Sequence, residues 1–258
     1  MSDLNIIETN NLSIGYEGKT LLQNINLKLE KKQVCCILGA NGIGKSTLLK
    51  TLAGLVPTIA GNVIVEQKEL NSMSNLDIAK RISLVINNQT INSDITIEEL
   101  VALGRSPYTT WSGWLKKEDH EIVSQALDSC NLIKLKQNKI SQVSDGERQR
   151  TMIARCMAQR TDLILLDEPT AFLDYPNKLL LTELLKKIRS EDERTVIMST
   201  HDWEMALDVA DILWVITEDG HILQGHPDKV IKMEAFQTLF ASHQLSFDHE
   251  RKKFIVNK

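Results

Sequence analysis

Apolar and polar residues alternate in two stretches near the start of the chain, from Ile7 to Ser13 and from Leu22 to Leu29. Such alternation is typical of strands with one buried and one solvated face, so we predict antiparallel strands in the N-terminal part. The run from Val34 to Leu38 is instead continuously apolar and ends at a glycine. This predicts a strand that is buried on both faces of a parallel sheet.

Both kinds of pattern continue along the chain. Leucines at helical spacing run from Leu48 to Leu55, and Gly54 and Pro57 mark the end of that predicted helix. Further strands are predicted at Ile82–Val85, Leu163–Leu166 and Val196–Ser199. A helical pattern from Lys178 to Ile188 separates the last two strands, and a strand–helix–strand unit of this kind is parallel and right-handed.

Between about Thr96 and Arg160 the pattern becomes helical, which predicts a helical insertion. It opens with Thr96 and Glu99 at the spacing of a capping box. Near the C-terminus, Leu245–Phe247 and Phe254–Val256 flank a charged turn and predict a hairpin. Since no Pro, Gly or Ser-rich linker divides the chain, we expect one domain over residues 1–258, with a helical subdomain at about 96–160 and a C-terminal extension at about 221–258.

Composition narrows the class of protein. The 258 residues are 42% hydrophobic and 25% charged, and the net charge of −4 comes without a basic stripe, so nucleic acid is not an expected partner. No basic and apolar leader and no run of about 18 apolar residues occurs, so we expect neither secretion nor a membrane span. The four cysteines lack metal-binding spacing and are expected to be reduced thiols.

The segment Gly39–Ser46 matches the phosphate loop G-x-x-x-x-G-K-[ST] and lies between a predicted buried strand and a helix. Its glycines let the backbone turn its N–H groups towards phosphates, and the helix N-terminus adds positive potential. Lys45 would neutralise the β and γ oxygens, and Ser46 would offer a hydroxyl to Mg²⁺. The expected nucleotide contacts here are Gly39, Asn41, Gly42, Gly44, Lys45, Ser46 and Thr47.

Two adjacent carboxylates, Asp167 and Glu168, follow the apolar run Leu163–Leu166. Beside a phosphate loop, the end of such a strand is where a metal contact and a base are needed. Asp167 is expected to hold Mg²⁺, and Glu168 is expected to polarise or deprotonate the attacking water. These two motifs alone do not separate kinases, GTPases, helicases and transport ATPases, because all of them need the same site.

The segment Val143–Gln149 precedes an apolar helix face, and Ser144 and Glu147 are spaced as a capping box. Standing alone, the segment would only stabilise its own helix. At this point, however, the chain resembles the ATP-binding subunits of ABC transporters from end to end. The resemblance implies an α/β P-loop NTPase fold of the ABC ATPase type, with a mostly parallel core sheet flanked by helices, an N-terminal antiparallel β subdomain and a helical insert.

The resemblance also implies roles for individual residues. Val143–Glu147 is similar to the family's signature motif, in which Ser144 and Gly146 would face the ATP bound to a second copy of the chain. Tyr16 would stack on adenine, and Asp174 lies in the loop that links the two sites. His201 matches the switch histidine that contacts the γ-phosphate. The expected enzyme is an ATPase with Glu168, His201 and Lys45 as catalytic residues, acting as a homodimer across two ATP molecules with Mg²⁺.

The chain departs from the family pattern at two places. The loop after Ile82–Val85 carries Asn87 where the family has a glutamine that reaches Mg²⁺ and the permease, and Gln89 follows two residues later. We expect Gln89 to take that role, with Asn87 as the alternative. The signature carries Asp145 and Glu147 where glycine and glutamine are common, which adds negative charge near a bound polyphosphate.

Within the family, the segments Leu103–Tyr108, Ser144–Gln149 and Glu168–Asp174 are similar to those of ATPases that import iron-siderophore, haem or cobalamin. This resemblance implies uptake of an iron chelate through a separate polytopic permease, served indirectly by a substrate-binding protein. The chain would then lie peripherally at the cytoplasmic face of the inner membrane. The alternatives are a cytosolic ABC ATPase that serves an assembly pathway, a transporter of another substrate, and a P-loop enzyme outside transport.

Overall fold

The chain alternates strands and helices over most of its length. The computed structural model describes residues 5–16, 18–86, 94–110, 113–171, 173–236, 245–248 and 253–256. Its strands are β1 (Asn5–Tyr16), β2 (Lys19–Ile25), β3 (Lys28–Glu30), β4 (Val34–Leu38), β5 (Ala60–Val65), β6 (Lys68–Glu69), β7 (Ile82–Val85), β8 (Leu163–Asp167), β9 (Thr195–Ser199), β10 (Ile212–Ile216), β11 (Ile222–Gly225), β12 (Leu245–Asp248) and β13 (Lys253–Val256). Its α-helices are α1 (Lys45–Leu52), α2 (Asn75–Ala79), α3 (Ile97–Ala102), α4 (Lys117–Ser129), α5 (Asp145–Gln159), α6 (Tyr175–Ser190), α7 (Trp203–Val209) and α8 (Pro227–Val230).

A six-stranded sheet in the order β11-β10-β4-β9-β8-β7 forms the centre of the fold. Strands β10, β4, β9, β8 and β7 run parallel, and β11 pairs antiparallel at one edge. Every residue of β4, β8 and β9 is buried. The predicted parallel strands are therefore confirmed, because their continuously apolar runs are covered on both faces of the sheet.

The N-terminal part forms the predicted antiparallel sheet, in the order β2-β1-β5-β6 with β3 also paired to β1. The second alternating stretch differs from the prediction, because Leu22–Leu29 is split between β2 and β3. The buried hydroxyl of Thr9 spans the break: it donates to Ile25 O at 3.0 Å and accepts from Leu27 N at 2.9 Å. These bonds replace the strand pairing that the break removes.

The two faces of the central sheet support different layers. On one face, Cys35 and Ile37 of β4 join the apolar core of the N-terminal sheet and α1. On the other face, Cys36 and Leu38 join the core that includes the helices between β7 and β8. Helix α1 ends at Leu52, and Gly54, one of the two residues predicted to mark its end, follows the cap residue with a φ of 75°. Leu55, the last leucine of the predicted spacing, lies beyond the helix and is 61% exposed.

Helices α3, α4 and α5 lie between β7 and β8 in the chain and pack on one another. The predicted capping box at the start of α3 is confirmed: Glu99 N donates to Thr96 Oγ1 at 3.2 Å, and Thr96 N donates to Glu99 Oε2 at 2.8 Å. Ile97, Val101 and Ile153 are fully buried between these helices and the sheet. The helical pattern predicted for this segment is therefore present, interrupted by turns of 3-10 helix at Leu103–Tyr108, Ile133–Leu135 and Ile140–Gln142.

Strands β12 and β13 form the predicted C-terminal hairpin, with Leu245 opposite Val256 and Phe247 opposite Phe254. The Phe247 ring meets the Phe236 ring edge-on, with centroids 5.8 Å apart. Phe236 is fully buried and makes a similar contact, at 5.5 Å, with Trp203 at the start of α7. The hairpin is thereby attached to the central domain through an aromatic cluster.

All four cysteines are free and buried. Burial raises the pKa of the Cys35, Cys36 and Cys156 thiols, and it raises the pKa of Cys130 to about 12. The expectation of reduced thiols agrees with this placement, because a buried thiol stays protonated and is a poor nucleophile. Over the described part of the chain, no helix is both long enough and apolar enough to span a bilayer.

A buried ion pair joins α4 to the turn that follows α3. Arg105 Nε donates to Asp119 Oδ1 at 2.9 Å, and a second guanidinium nitrogen of Arg105 donates to Ala158 O at 2.9 Å. The guanidinium carbon also lies 4.1 Å from the centre of the Tyr108 ring. The pKa of the Asp119 carboxyl is lowered because the Lys116 backbone N–H donates to it and because Arg105 lies beside it.

We predict that Asp119→Asn lowers the free energy of unfolding at pH 7 by about 2 kcal/mol, because two bonds to a charged carboxylate are weakened. A depressed pKa in the folded state stabilises the fold above the ordinary Asp pKa of about 3.9, and this contribution is lost as the pH falls through the folded value. In urea unfolding between about pH 5 and about pH 2, the difference between wild type and Asp119→Asn should therefore shrink towards the acid end. A difference that grows with acidity would contradict this assignment.

Candidate nucleotide-binding site

The loop between β4 and α1 depends on glycine conformations. Gly39, Gly42 and Gly44 have φ angles of 150°, 78° and 117°, in the region that side chains rarely adopt. A Cβ on Gly39 would also lie 2.9 Å from the carbonyl oxygen of Ile216 on the neighbouring strand β10. Any other residue here would strain the loop, so the spacing of the glycines follows from the path of the backbone.

The Lys45 ammonium lies inside this loop. The side chain is 6% exposed, and its Nζ donates to Gly39 O at 2.9 Å and Ala40 O at 3.2 Å. The nearest carboxylate oxygen is Glu168 Oε1, at 3.7 Å from Nζ. The short bonds of this buried ammonium go to neutral carbonyls, so an anion in the cavity could replace them with stronger, charge-assisted bonds.

Asp167 lies at the end of β8, directly opposite Ser199 of β9. Its Oδ1 accepts from Ser46 Oγ at 2.8 Å and from Ser199 Oγ at 2.8 Å. The Ser199 hydroxyl in turn accepts from Glu168 N at 2.9 Å. Ser199 was not among the predicted site residues, although the carboxyl ends of neighbouring parallel strands meet at one edge and its place at the end of a predicted strand was a usable signal.

Glu168 has a φ of 48°, a left-handed conformation that costs a non-glycine residue about 1–2 kcal/mol. Its side chain is 16% exposed, and Oε2 lies 2.8 Å from His201 Nδ1. His201 itself is 59% exposed and lies on the loop between β9 and α7. Strained backbone conformations are common at functional sites. At Glu168 this conformation points the carboxylate towards both Lys45 and His201.

These side chains surround an open cavity of about 370 Å³. It is lined by Asn41, Gly42, Gly44, Lys45, Ser46, Thr47, Glu168, Ala171 and His201. Tyr16 is half exposed, and its hydroxyl accepts from Thr47 Oγ1 at 3.4 Å, which fixes the ring near α1. The structure thus brings the phosphate-loop residues, Asp167, Glu168 and His201 together and sets Tyr16 beside them.

Ser144 caps α5, as its spacing predicts. Glu147 N donates to Ser144 Oγ at 3.3 Å, while Ser144 N and Oγ donate to Glu147 Oε2 at 2.8 Å and 2.9 Å. The other additional acid, Asp145, pairs with Arg148 at 3.2 Å. Both negative charges of the signature segment therefore have partners on their own helix, which reduces the charge presented outwards.

Some predicted residues are not brought into this cavity. Ser144, Gly146 and Asp174 are not among its lining residues, and Asp174 instead caps α6 by accepting from Asn177 N at 3.1 Å. Asn87 and Gln89, the two candidates for the glutamine role, lie outside the described residues. Their predicted roles stay predictions.

Comparisons with known proteins agree with this site. Residues 22–171 match the family described as ABC transporter. The petrobactin import ATP-binding protein FpuC of Bacillus anthracis is 35% identical over 253 residues, which cover 98% of this chain and 93% of that protein. The iron(3+)-hydroxamate import ATP-binding protein FhuC of Bacillus subtilis is 32% identical over 237 residues, which cover 92% of this chain and 88% of that protein.

The fold agrees as well. A dimeric bacterial ABC transporter cassette superposes with a TM-score of 0.75 at 27% identity, covering 86% of this chain and 98% of the other. The chain belongs to the ABC transporter family, in the ATP-binding cassette that the family's members use to hydrolyse ATP. The predicted family, fold class and enzyme class are confirmed.

The strain at Glu168 gives a prediction about stability. Both Glu168→Gly and Glu168→Ala remove the carboxylate, but only glycine adopts a φ of 48° without strain. We expect the glycine variant to have the larger free energy of unfolding, by about 1 kcal/mol, in parallel denaturant titrations.

The matched control is the same pair of substitutions at Glu204, an exposed residue in the first turn of α7. There glycine should be the less stable variant, by about 1 kcal/mol, because the backbone is helical. The same order of stability at both positions would show that the left-handed backbone at Glu168 carries no strain.

Proposed function

We propose that this chain is the ATP-binding and ATP-hydrolysing subunit of an importer for an iron chelate, a siderophore or haem, or for cobalamin. It would act as a homodimer on a separate permease at the cytoplasmic face of the membrane. The observation that carries the catalytic part is the assembly of four side chains around one cavity at the edge of the parallel sheet, those of Lys45, Ser46, Glu168 and His201. Asp167 lies directly behind them, hydrogen-bonded to Ser46.

Binding would begin at the phosphate loop. Lys45 is held by carbonyls of its own loop, and a polyphosphate would give it stronger, charge-assisted partners. The N-terminus of α1 adds positive potential at the same point. Tyr16, half exposed beside α1, would stack on the adenine ring at the rim of the cavity.

The residues present fit a magnesium ion. The Ser46 hydroxyl and the Asp167 carboxylate touch each other, and Mg²⁺ prefers such hard oxygen ligands, taking few of them from protein when phosphates are present. When bound, Mg²⁺ would neutralise charge on the phosphates. In the described structure, the hydrogen bond from Ser199 to Asp167 already fixes the orientation of that carboxylate.

Hydrolysis needs a group that orients and deprotonates water. Glu168 is suited to this because its backbone is fixed by Ser199 and its carboxylate lies between Lys45 and His201. His201 would donate to the γ-phosphate and hold Glu168 in place, and Lys45 would stabilise the charge that develops on the phosphate oxygens. The contacts of Glu168 with Lys45 and His201 support these three roles.

The proposed homodimer would give a role to signature and loop residues that lie outside the cavity. Ser144, Gly146 and Asp174 are not among its lining residues, and in the dimer they would complete the site of a second chain, with each ATP enclosed between two copies. The dimeric cassette described above supports this arrangement. Gln89 would contact Mg²⁺ and the permease, and a substrate-binding protein would deliver the chelate outside.

The choice of substrate is supported by the relatives. Both are named as import ATP-binding proteins, one for petrobactin and one for an iron(3+)-hydroxamate, and this chain covers about nine-tenths of each. ATP would close the dimer because it binds the closed state better, and hydrolysis would reopen it. The helices between β7 and β8 would transmit this motion to the permease.

We predict that Glu168→Gln abolishes ATP turnover and traps an ATP-bound dimer, because the base is lost while the phosphate contacts remain. Sedimentation of the purified variant with saturating ATP and Mg²⁺ should give the mass of two chains, and ADP should give one. Adding Lys45→Ala to the same variant is the control and should abolish the dimer. A variant that stays monomeric with ATP would refute the closure of two chains on ATP.

The transport role is tested in the native cell. We expect the tagged chain, purified from gently solubilised membranes, to carry a polytopic permease in stoichiometric amount by mass spectrometry. Uptake of a radiolabelled iron chelate should then fall to background in cells that carry Glu168→Gln. A stoichiometric soluble partner with nothing from the membrane would favour a cytosolic ABC ATPase, and normal iron uptake with a different permease would favour another substrate.

A further inference from the structure

One amide side chain joins the two segments that the cavity excludes. Asn177, in the first turn of α6, donates from Nδ2 to Asp174 Oδ1 at 2.7 Å. Its Oδ1 accepts at 2.9 Å from a terminal guanidinium nitrogen of Arg150 on α5. The amide therefore uses both its donor and its acceptor. The partner in each bond is a charged group, and hydrogen bonds to charged groups are stronger than those between neutral groups.

The same amide packs against the signature segment. A Cβ on Gly146 would lie 2.3 Å from Asn177 Oδ1 and 2.8 Å from Asn177 Nδ2, far closer than real contacts allow. The close approach of Asn177 is thus one reason for a glycine at position 146, in addition to any contact with a nucleotide. The N-termini of α5 and α6 lie against each other at this point with the amide between them.

Three observations thus converge on one residue. Asn177 holds the capping carboxylate of Asp174, it binds Arg150 in the second turn of α5, and it fills the space above Gly146. Neither Asn177 nor Arg150 is among the lining residues of the chain's own cavity. The contacts of Asn177 therefore lie away from the chain's own phosphate loop, on the two segments that the proposed homodimer would place against a second chain.

We propose that Asn177 is a positioning residue for the ATP bound to the partner copy, holding the signature segment and the Asp174 loop in one fixed arrangement. The proposal rests on the proposed homodimer, in which these two segments meet the partner's nucleotide together. Asn177 acts through Ser144, Gly146 and Asp174 and touches no nucleotide of its own chain.

The chemistry of the position favours asparagine over close alternatives. Alanine would leave the Arg150 nitrogen and Asp174 without this partner and open a gap above Gly146. Aspartate has the same shape and would keep the bond from Arg150, but it would set a second carboxylate 2.7 Å from Asp174 Oδ1, in place of a donor. Both substitutions should therefore loosen the contact between the signature segment and the Asp174 loop, alanine by removing the bridging amide and aspartate by charge repulsion.

The test measures nucleotide binding and dimer formation separately, in the Glu168→Gln background. Titration of the single chain with a fluorescent ATP analogue reports the chain's own phosphate loop. Sedimentation with saturating ATP and Mg²⁺ reports the Kd of the dimer. We expect Asn177→Ala and Asn177→Asp to leave nucleotide affinity within about twofold and to raise the dimer Kd about tenfold or more, as loss of charge-assisted bonds at two symmetric sites implies.

The matched control is Ser74→Ala, which removes a capping hydroxyl that accepts from Asp77 N at 3.1 Å on α2. It should change neither quantity. If both Asn177 variants dimerise as tightly as their parent, or if they lose nucleotide affinity and dimer affinity in equal measure, the positioning role is wrong. If the Glu168→Gln parent itself fails to dimerise, the proposed function is wrong and the role of Asn177 falls with it.

Discussion

The pairing of β8 with β9 is the constraint on which the site depends. This register places Asp167 opposite Ser199, and the Ser199 hydroxyl then donates to Asp167 and accepts from the Glu168 backbone. A shift of the pairing by one residue would turn Asp167 to the other face of the sheet and remove it from Ser46. Both acidic side chains therefore owe their positions to strands whose continuously apolar sequences permit burial on both faces.

Two of the charged side chains in the site, Lys45 and Asp167, make their short contacts mainly to neutral groups. Lys45 is bound mainly by carbonyl groups, Asp167 by hydroxyl groups, and Glu168 is shared between Lys45 and His201. Because the cavity is partly enclosed, these charges interact more strongly than they would in water. A polyphosphate bound with a cation could pair with both charged residues, its phosphate oxygens with Lys45 and its cation with Asp167.

Local patterns predicted the parallel core, the capped starts of α3 and α5 and the C-terminal hairpin, because each depends on residues close in sequence. They did not separate β2 from β3, since the break is held by the hydroxyl of Thr9, far away in the chain. Asn177 was missed for the same reason, because the fold brings its partner Arg150 near. Ser199, the partner of Asp167, was missed although its place at the end of a predicted strand was a usable signal. The phosphate-loop motif could be located because its residues are contiguous in the sequence.

Because all four thiols are buried, we expect the folded chain to react only slowly with thiol reagents. Cys35 and Cys36 lie in the central strand of the sheet, where burial keeps them protonated and covered. A single cysteine introduced at an exposed position would then carry a fluorophore selectively without removal of the natural ones. Distances between two copies of the chain could be followed by energy transfer on a molecule that is otherwise unaltered.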